Sequence, residues 1–158
     1  MDNQFERAII ELGLRIPEPS NSVANFVPWV VTNHLLVISG QIPVVDGRPG
    51  FIGKVGLDLS VEEGQLAARA CALQILSVVR QACDGDLDRV VKCVRLGGFI
   101  NSTPEFTSQP MVMNGASDLI VAVFKEQGRH ARVAVGVNSL PFGVAVEVDA
   151  IFEVTPRP

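Results

Sequence analysis

The sequence predicts an α+β fold: one sheet with two long helices packed on one face. Three observations predict it. A serine-capped, strongly apolar helical segment follows Ser60. Segments rich in Val and Ile, with alternating side chains, lie before and after it. The elements run helix, strands, helix, strand, helix, two strands, an order that one layered sheet accommodates.

Phe5, Ala8, Ile9 and Leu12 recur at i, i+3, i+4 and i+7, the spacing of a short amphipathic helix over residues 3–13, which Gly13 can end. "RIPEPSNS" is a Pro-rich connector. "FVPWVVTNHLLVISGQIPV" reads as two strands around a "TNH" turn, with Pro28 assigning the first to an edge or bulge. "VVDGRPGFIGKVG" reads as a Gly-rich loop with a short strand near Phe51.

"SVEE" at 60–63 is a capping box, in which the serine oxygen accepts from the third helical amide and Glu63 reaches back to the cap. The helix it opens should run to about residue 83. Leu66, Ala70, Leu73, Ile75, Leu76 and Val79 make it apolar almost all round, which predicts burial. "LDRVVKCVRLGGFI" reads as a strand over 90–100. "STPEF" offers a second helix start with Pro104 in its first turn, and Pro110 limits that segment. A further helix is expected over 117–126, followed by two closing strands joined by "NSLPFG".

Composition narrows the function classes. The chain has 158 residues, of which 47% are hydrophobic and 19% charged. Its mean hydropathy is +0.32. One chain of this size struggles to hide so much apolar surface, which predicts an oligomer with buried interfaces. No apolar run reaches the ~18 residues of a membrane span, so no membrane partner is expected. The acidic start "MDNQFERAIIELG" lacks a signal-peptide core. Three cysteines, Cys71, Cys83 and Cys93, lack metal-ligand spacing and read as reduced thiols of a cytoplasmic protein. The net charge of −4 argues against a nucleic-acid partner. No metal or organic cofactor is expected.

Arg132 stands out within a closing strand of Val, Ala and Gly. Read as a hairpin, Val133, Val135 and Val137 face the helices together with Val144, Val146 and Val148. Arg132, Ala134 and Gly136 then share the other face with Glu147 and Asp149. Small neighbours leave room beside a guanidinium, whose planar fork matches a carboxylate. The alternative is a cross-strand pair with Glu147 or Asp149. His130, two residues earlier, reads as a strand-entry residue in preference to a ligand contact. "GRPGFIGKVG" fails as a phosphate loop, because Arg48 stands where Gly is required and Val55 where Ser or Thr is required. Ser39 lacks a nucleophile-elbow context.

"GRHARVAVGVNSLPFGVAVEVDAI", "VPWVVTNHLLVISGQIP" and "GKVGLDLSVEEGQLAAR" together resemble the RidA family of reactive-intermediate deaminases, also called the YjgF or L-PSP endoribonuclease family. "FINSTPEFTSQPMVMNGASDL" resembles a longer-chain subgroup. The resemblance implies one domain over 1–158, with 1–20 as N-terminal helix and connector. It implies a chorismate-mutase-like fold and a homotrimer with clefts between subunits. It implies hydrolysis of small enamine or imine metabolites, such as 2-imino acids, to keto acids and ammonia. Arg132 then stands where the family holds the substrate carboxylate, and Glu147 at the acidic position that positions or activates water. Ser39 and Gly40 stand in the site-lining "SGQ". Phe26 replaces the usual Tyr, Ala134 a frequent Cys, and Ser117 falls where short members place Asn. The competing readings are a non-catalytic binder or sensor of small carboxylates and, more weakly, an endoribonuclease acting on single-stranded RNA.

Overall fold

The structure is a computed structural model that describes residues 3–18 and 24–155, so part of the predicted connector, 19–22, lies outside the described residues. Helix α1 (Gln4–Glu11) is capped by Asn3, whose side chain accepts from the Glu6 amide at 3.1 Å. Its apolar side carries Phe5 onto Phe124, with ring centroids 4.9 Å apart, and Phe124 meets Phe152 at 5.8 Å. That aromatic stack ties the N-terminus to the core.

Strands β1 (Trp29–Thr32) and β2 (Leu35–Gln41) form the predicted hairpin, with Asn33 in the left-handed conformation its turn demands. β1 is the sheet edge, as Pro28 required. Two-residue strands β3 (Val44–Val45) and β4 (Arg48–Pro49) make a separate small hairpin.

The capping box at Ser60 forms in both directions and opens helix α2 (Val61–Ala82). Strand β5 (Val90–Asn101), helix α3 (Gln109–Phe124), strand β6 (Ala131–Val137) and strand β7 (Val146–Val154) complete the chain. The main sheet runs β1-β2-β7-β5-β6, antiparallel except for the parallel pair β5 and β6. Leu36, Ile38, Leu96, Ile100, Val146, Val148 and Phe152 form the sheet's half of one core, and α2 and α3 supply the other half.

Several expectations need correction. α2 is not buried all round: Leu66 is 54% exposed, on the side away from the sheet. α3 begins eight residues before the expected Ser117. "STPEF" is a turn, and Pro110 occupies the first helical turn, where its missing N–H costs nothing, so it starts α3 and does not limit a segment before it. The closing hairpin does not exist. β6 pairs with β5, and β7 lies between β2 and β5. A parallel neighbour needs a crossover, and α3 supplies it.

The faces of β6 are also inverted. Its Arg132, Ala134 and Gly136 share the helix side with Leu96, Gly98 and Ile100 of β5. Val133 and Val135 point to the open side of the sheet and are 38% and 39% exposed. On β7 the expectation holds, with Val144, Val146 and Val148 buried and Glu147 and Asp149 on the open side.

The two long helices touch through glycine. A Cβ on Gly115 of α3 would fall 2.0 Å from the Gln65 carbonyl oxygen of α2. Backbone cannot move aside as a side-chain tip can. Gly115→Ala should therefore destabilise the fold by about 1–3 kcal/mol through forced helix separation. Urea denaturation of the two proteins checks this.

Candidate functional site

Arg132 projects from the outer strand β6 onto α3. Its Nη1 donates to Asn114 Oδ1 at 3.0 Å and to Ser117 Oγ at 3.1 Å, and its Nη2 donates to the Pro110 carbonyl at 3.1 Å. All three acceptors are neutral and all lie on α3. Among the described residues no carboxylate pairs with Arg132, so the cross-strand pair with Glu147 or Asp149 is overturned. Asp149 instead binds Arg95 at 3.0 Å. A guanidinium has five N–H donors, and three are used, leaving two for a ligand.

His130 joins this cluster. Its Nδ1 lies 2.6 Å from the Gly128 carbonyl, which can only accept, so Nδ1 carries the proton. Nε2 is then an acceptor for the Ser117 hydroxyl at 2.9 Å. The result is a directed chain in which Arg132 donates to Ser117 and Ser117 donates to His130. Burial lowers the His130 pKa; the Gly128 bond opposes this, and the nearby Arg132 charge adds to the lowering. The neutral imidazole this favours is the form the Ser117 bond needs. Ala134 lies next along the same side of β6, partly buried against the core, and keeps the floor beside Arg132 low.

Glu147 stands elsewhere. It is on β7 opposite Phe99, on the open side of the sheet, and β5 separates its strand from β6. Its carboxyl lies against Gly40 of β2, where a Cβ would fall 2.0 Å from Glu147 Oε1. A side chain at Gly40 would push the Glu147 carboxylate from this position. Burial raises the Glu147 pKa, and the Asp149 charge adds to the rise. Ser39 precedes Gly40 at a register shift in β2, and its hydroxyl donates to the Val27 carbonyl at 2.7 Å. Phe26 is exposed one residue before Val27.

The predicted site residues therefore fall into two groups. Arg132, Ser117 and Ala134 sit on the helix side at β6. Glu147, Gly40 and Ser39, with Phe26 nearby, sit at β2 and β7. One chain does not bring the groups together. Sequence reasoning missed Asn114, which lies one helical turn before Ser117 and would have been visible had α3 been started at Gln109. His130 stands at the entry to β6, as expected, and its ring in addition turns onto Ser117.

The cysteines are not candidates. All three are buried free thiols, and burial pushes Cys93 up to about 12. Among the described residues no group of three or more His, Cys, Asp or Glu side chains could hold a metal ion. No helix there is long and apolar enough to cross a membrane.

A mixed five-stranded sheet under two long helices, with an arginine clasped to the crossover helix, defines the class. The family described as "YjgF/chorismate mutase-like, putative endoribonuclease" matches residues 6–152, and the chain belongs to it. Among curated relatives, Protein TCP17 of Trypanosoma cruzi is 53% identical over 143 residues, spanning 90% of this chain and 89% of its own length. Protein HMF1 of Saccharomyces cerevisiae is 30% identical over 131 residues, spanning 82% and 84%. Among solved structures, Atu1372 of Agrobacterium tumefaciens, described as of unknown function, superposes with TM-score 0.90 at 45% identity, covering 96% of this chain and 92% of its own. A Shewanella oneidensis MR-1 protein, named with the same two words that close the family description, gives TM-score 0.92 at 32% identity, covering 96% and 100%. The chorismate-mutase-like α+β fold expected from the sequence is thus the observed one.

Two titrations follow. His130 should titrate below 6.5 by NMR. Because its folded pKa is depressed, the stability it contributes is present above 6.5 and lost as pH falls through the folded value. A midpoint at or above 6.5 contradicts this. Glu147 has the opposite sign. Its raised pKa makes its charge a cost at neutral pH. Glu147→Gln should raise the thermal midpoint at pH 7, with the gain vanishing below about pH 4.5, the ordinary carboxyl value.

Proposed function

We propose that the protein hydrolyses small 2-imino acids and their enamine tautomers to 2-keto acids and ammonia, in clefts between copies of the chain assembled as a homotrimer. One observation carries the reading: Arg132 is held in place by three neutral acceptors, with two donors unspent and no acid among the described residues on it. That is the state of a clamp prepared for a carboxylate from outside.

The reaction is R–C(=NH)–COO⁻ + H₂O → R–CO–COO⁻ + NH₃. Arg132 binds the carboxylate and fixes the imine carbon beside β6. Ser117 and Asn114 hold the guanidinium, and Ala134 leaves room for the substrate chain. Glu147 of a neighbouring copy, with Ser39, Gly40 and Phe26 around it, accepts a proton from the attacking water and returns one to the leaving nitrogen. A carboxyl whose pKa is raised by burial suits both steps near neutral pH. No metal or organic cofactor enters the scheme.

The separation of the two groups within one chain supports a site shared between copies. So does the open side of the sheet, where Val30, Leu35, Val133 and Val135 are exposed apolar residues. The same assembly is how the apolar composition is accommodated, and one YjgF-type unit over 1–158 in the cytoplasm completes the reading. Phe26, which lacks the hydroxyl of the usual Tyr, favours a second reading in which the cleft binds a small carboxylate without turning it over.

The test is ammonia release from freshly generated 2-aminoacrylate. Arg132→Ala should lower kcat/KM at least about a hundredfold, the worth of two charge-assisted hydrogen bonds, with the circular dichroism spectrum unchanged. Glu147→Gln should cost about 10²–10⁴-fold. Unchanged turnover in Arg132→Ala defeats the assignment. Carboxylate binding without turnover selects the binder, and Arg132-independent cleavage of single-stranded RNA selects the nuclease.

A further inference from the structure

A second cationic station lies farther along β6. It forms where the parallel strands β5 and β6 end, the end of a parallel pair at which ligands commonly sit. The cavity there measures about 380 Å³. Lys54, Ser102, Thr103, Gln109, Gly136 and Asn138 supply its polar and backbone wall, and none of its lining residues is acidic. Gly136 is four residues beyond Arg132, about 13 Å along an extended strand, and Arg132 is not among the residues that line the cavity.

Four features converge on the cavity. Lys54 Nζ donates to Asn101 Oδ1 at 2.8 Å and to the Asn138 carbonyl, which fixes the ammonium while leaving its third N–H unspent. Among the described residues no carboxylate neutralises it. Ser102 is 93% buried, with 7% of its surface exposed, and its hydroxyl makes no hydrogen bond among the described residues but is open to water in the cavity. That hydroxyl is aimed into the cavity, 2.9 Å from where a Cβ on Gly136 would lie. Finally, the 16-residue helix α3 begins here with no side-chain cap and no acidic residue in its first turn, so its positive end is uncompensated. A lysine without a counter-charge is neutralised by a bound anion, and a hydroxyl without a protein partner is free to donate to it.

We propose that this cavity binds the phosphate group of a small phosphorylated molecule. Its donors arrive from three directions: the ammonium from the loop before α2, the hydroxyls of Ser102 and Thr103 from the end of β5, and the start of α3. A three-dimensional donor set fits a tetrahedral group, as the flat fork of Arg132 fits a planar carboxylate. Phe106, Pro104 and Val137 form an apolar wall for the rest of the molecule.

The test is an NMR titration of the full chain with inorganic phosphate, with acetate in parallel. Phosphate should bind saturably and move the amides of Ser102, Gln109 and Asn138. Lys54→Met should weaken it about tenfold or more and Ser102→Ala about threefold, while Arg132→Ala leaves it unchanged. Because Ser102 has no partner to lose, Ser102→Ala keeps the fold and decides the matter if Lys54→Met does not fold. The proposal is overturned by absent saturation, by unchanged affinity in Ser102→Ala, by equal binding of acetate, or by loss of binding in Arg132→Ala.

Discussion

The parallel pairing of β5 with β6 is the constraint on which both candidate sites depend. Two parallel strands cannot be joined by a tight turn, so the chain must return from the end of β5 to the start of β6 through a covering element. That element is α3. One turn after α3 ends, β6 begins, and its helix-side residues necessarily meet the helix that preceded them. Arg132 finds Pro110, Asn114 and Ser117 on α3 for this reason. The opposite end of the same crossover brings the start of α3 over the ends of both strands, where Lys54 and Ser102 sit.

Helix α3 can hold this position because α2 presses it onto the sheet at very short range. Gly115 removes a side chain from the contact, so the backbones approach where any larger residue would hold them apart, and Gly64 leaves room for the Val112 side chain of α3. Met113 closes the layer below by packing over Gly98, where a Cβ would lie 2.3 Å from its sulfur. Close packing of this kind fixes α3 as a rigid backing for the guanidinium, so ordering Arg132 is largely completed on folding and little remains to be lost when a ligand arrives.

Much of this was legible in the sequence, for local reasons. The capping box at Ser60 is a chemical pattern with one good solution, and it formed. β7 alternates buried apolar side chains with mostly polar ones, so its faces were readable. β6 was not readable in the same way. Val, Ala and Gly alternate there without a polar side other than Arg132, and an arginine's long stem lets it stand on the helix side while its head stays at the surface. The partner of β6 is also not written locally: "NSLPFG" looks like a hairpin connection, but β7 is drawn between β2 and β5 by the larger apolar surface it can bury there. Pro110 illustrates the same limit. Proline opens helices as readily as it ends them, and only the packing of Val112, Met113 and Ala116 shows which applied.

The division of the predicted site between two sides of the sheet follows from the two-residue period of strands, and it has an electrostatic consequence. A glutamate beside an unpaired guanidinium would have its pKa driven down, and the arginine's donors would be taken. Here the intervening strand β5 and the thickness of the sheet keep Glu147 from Arg132 within a chain. Glu147 instead feels burial and the like charge of Asp149, both of which favour its protonated form. Arg95 takes Asp149 as its own partner, which leaves no cation of the sheet's open side paired with Glu147 among the described residues. Within the chain, the guanidinium of Arg132 and the carboxyl of Glu147, whose pKa burial raises, are thus kept from quenching each other.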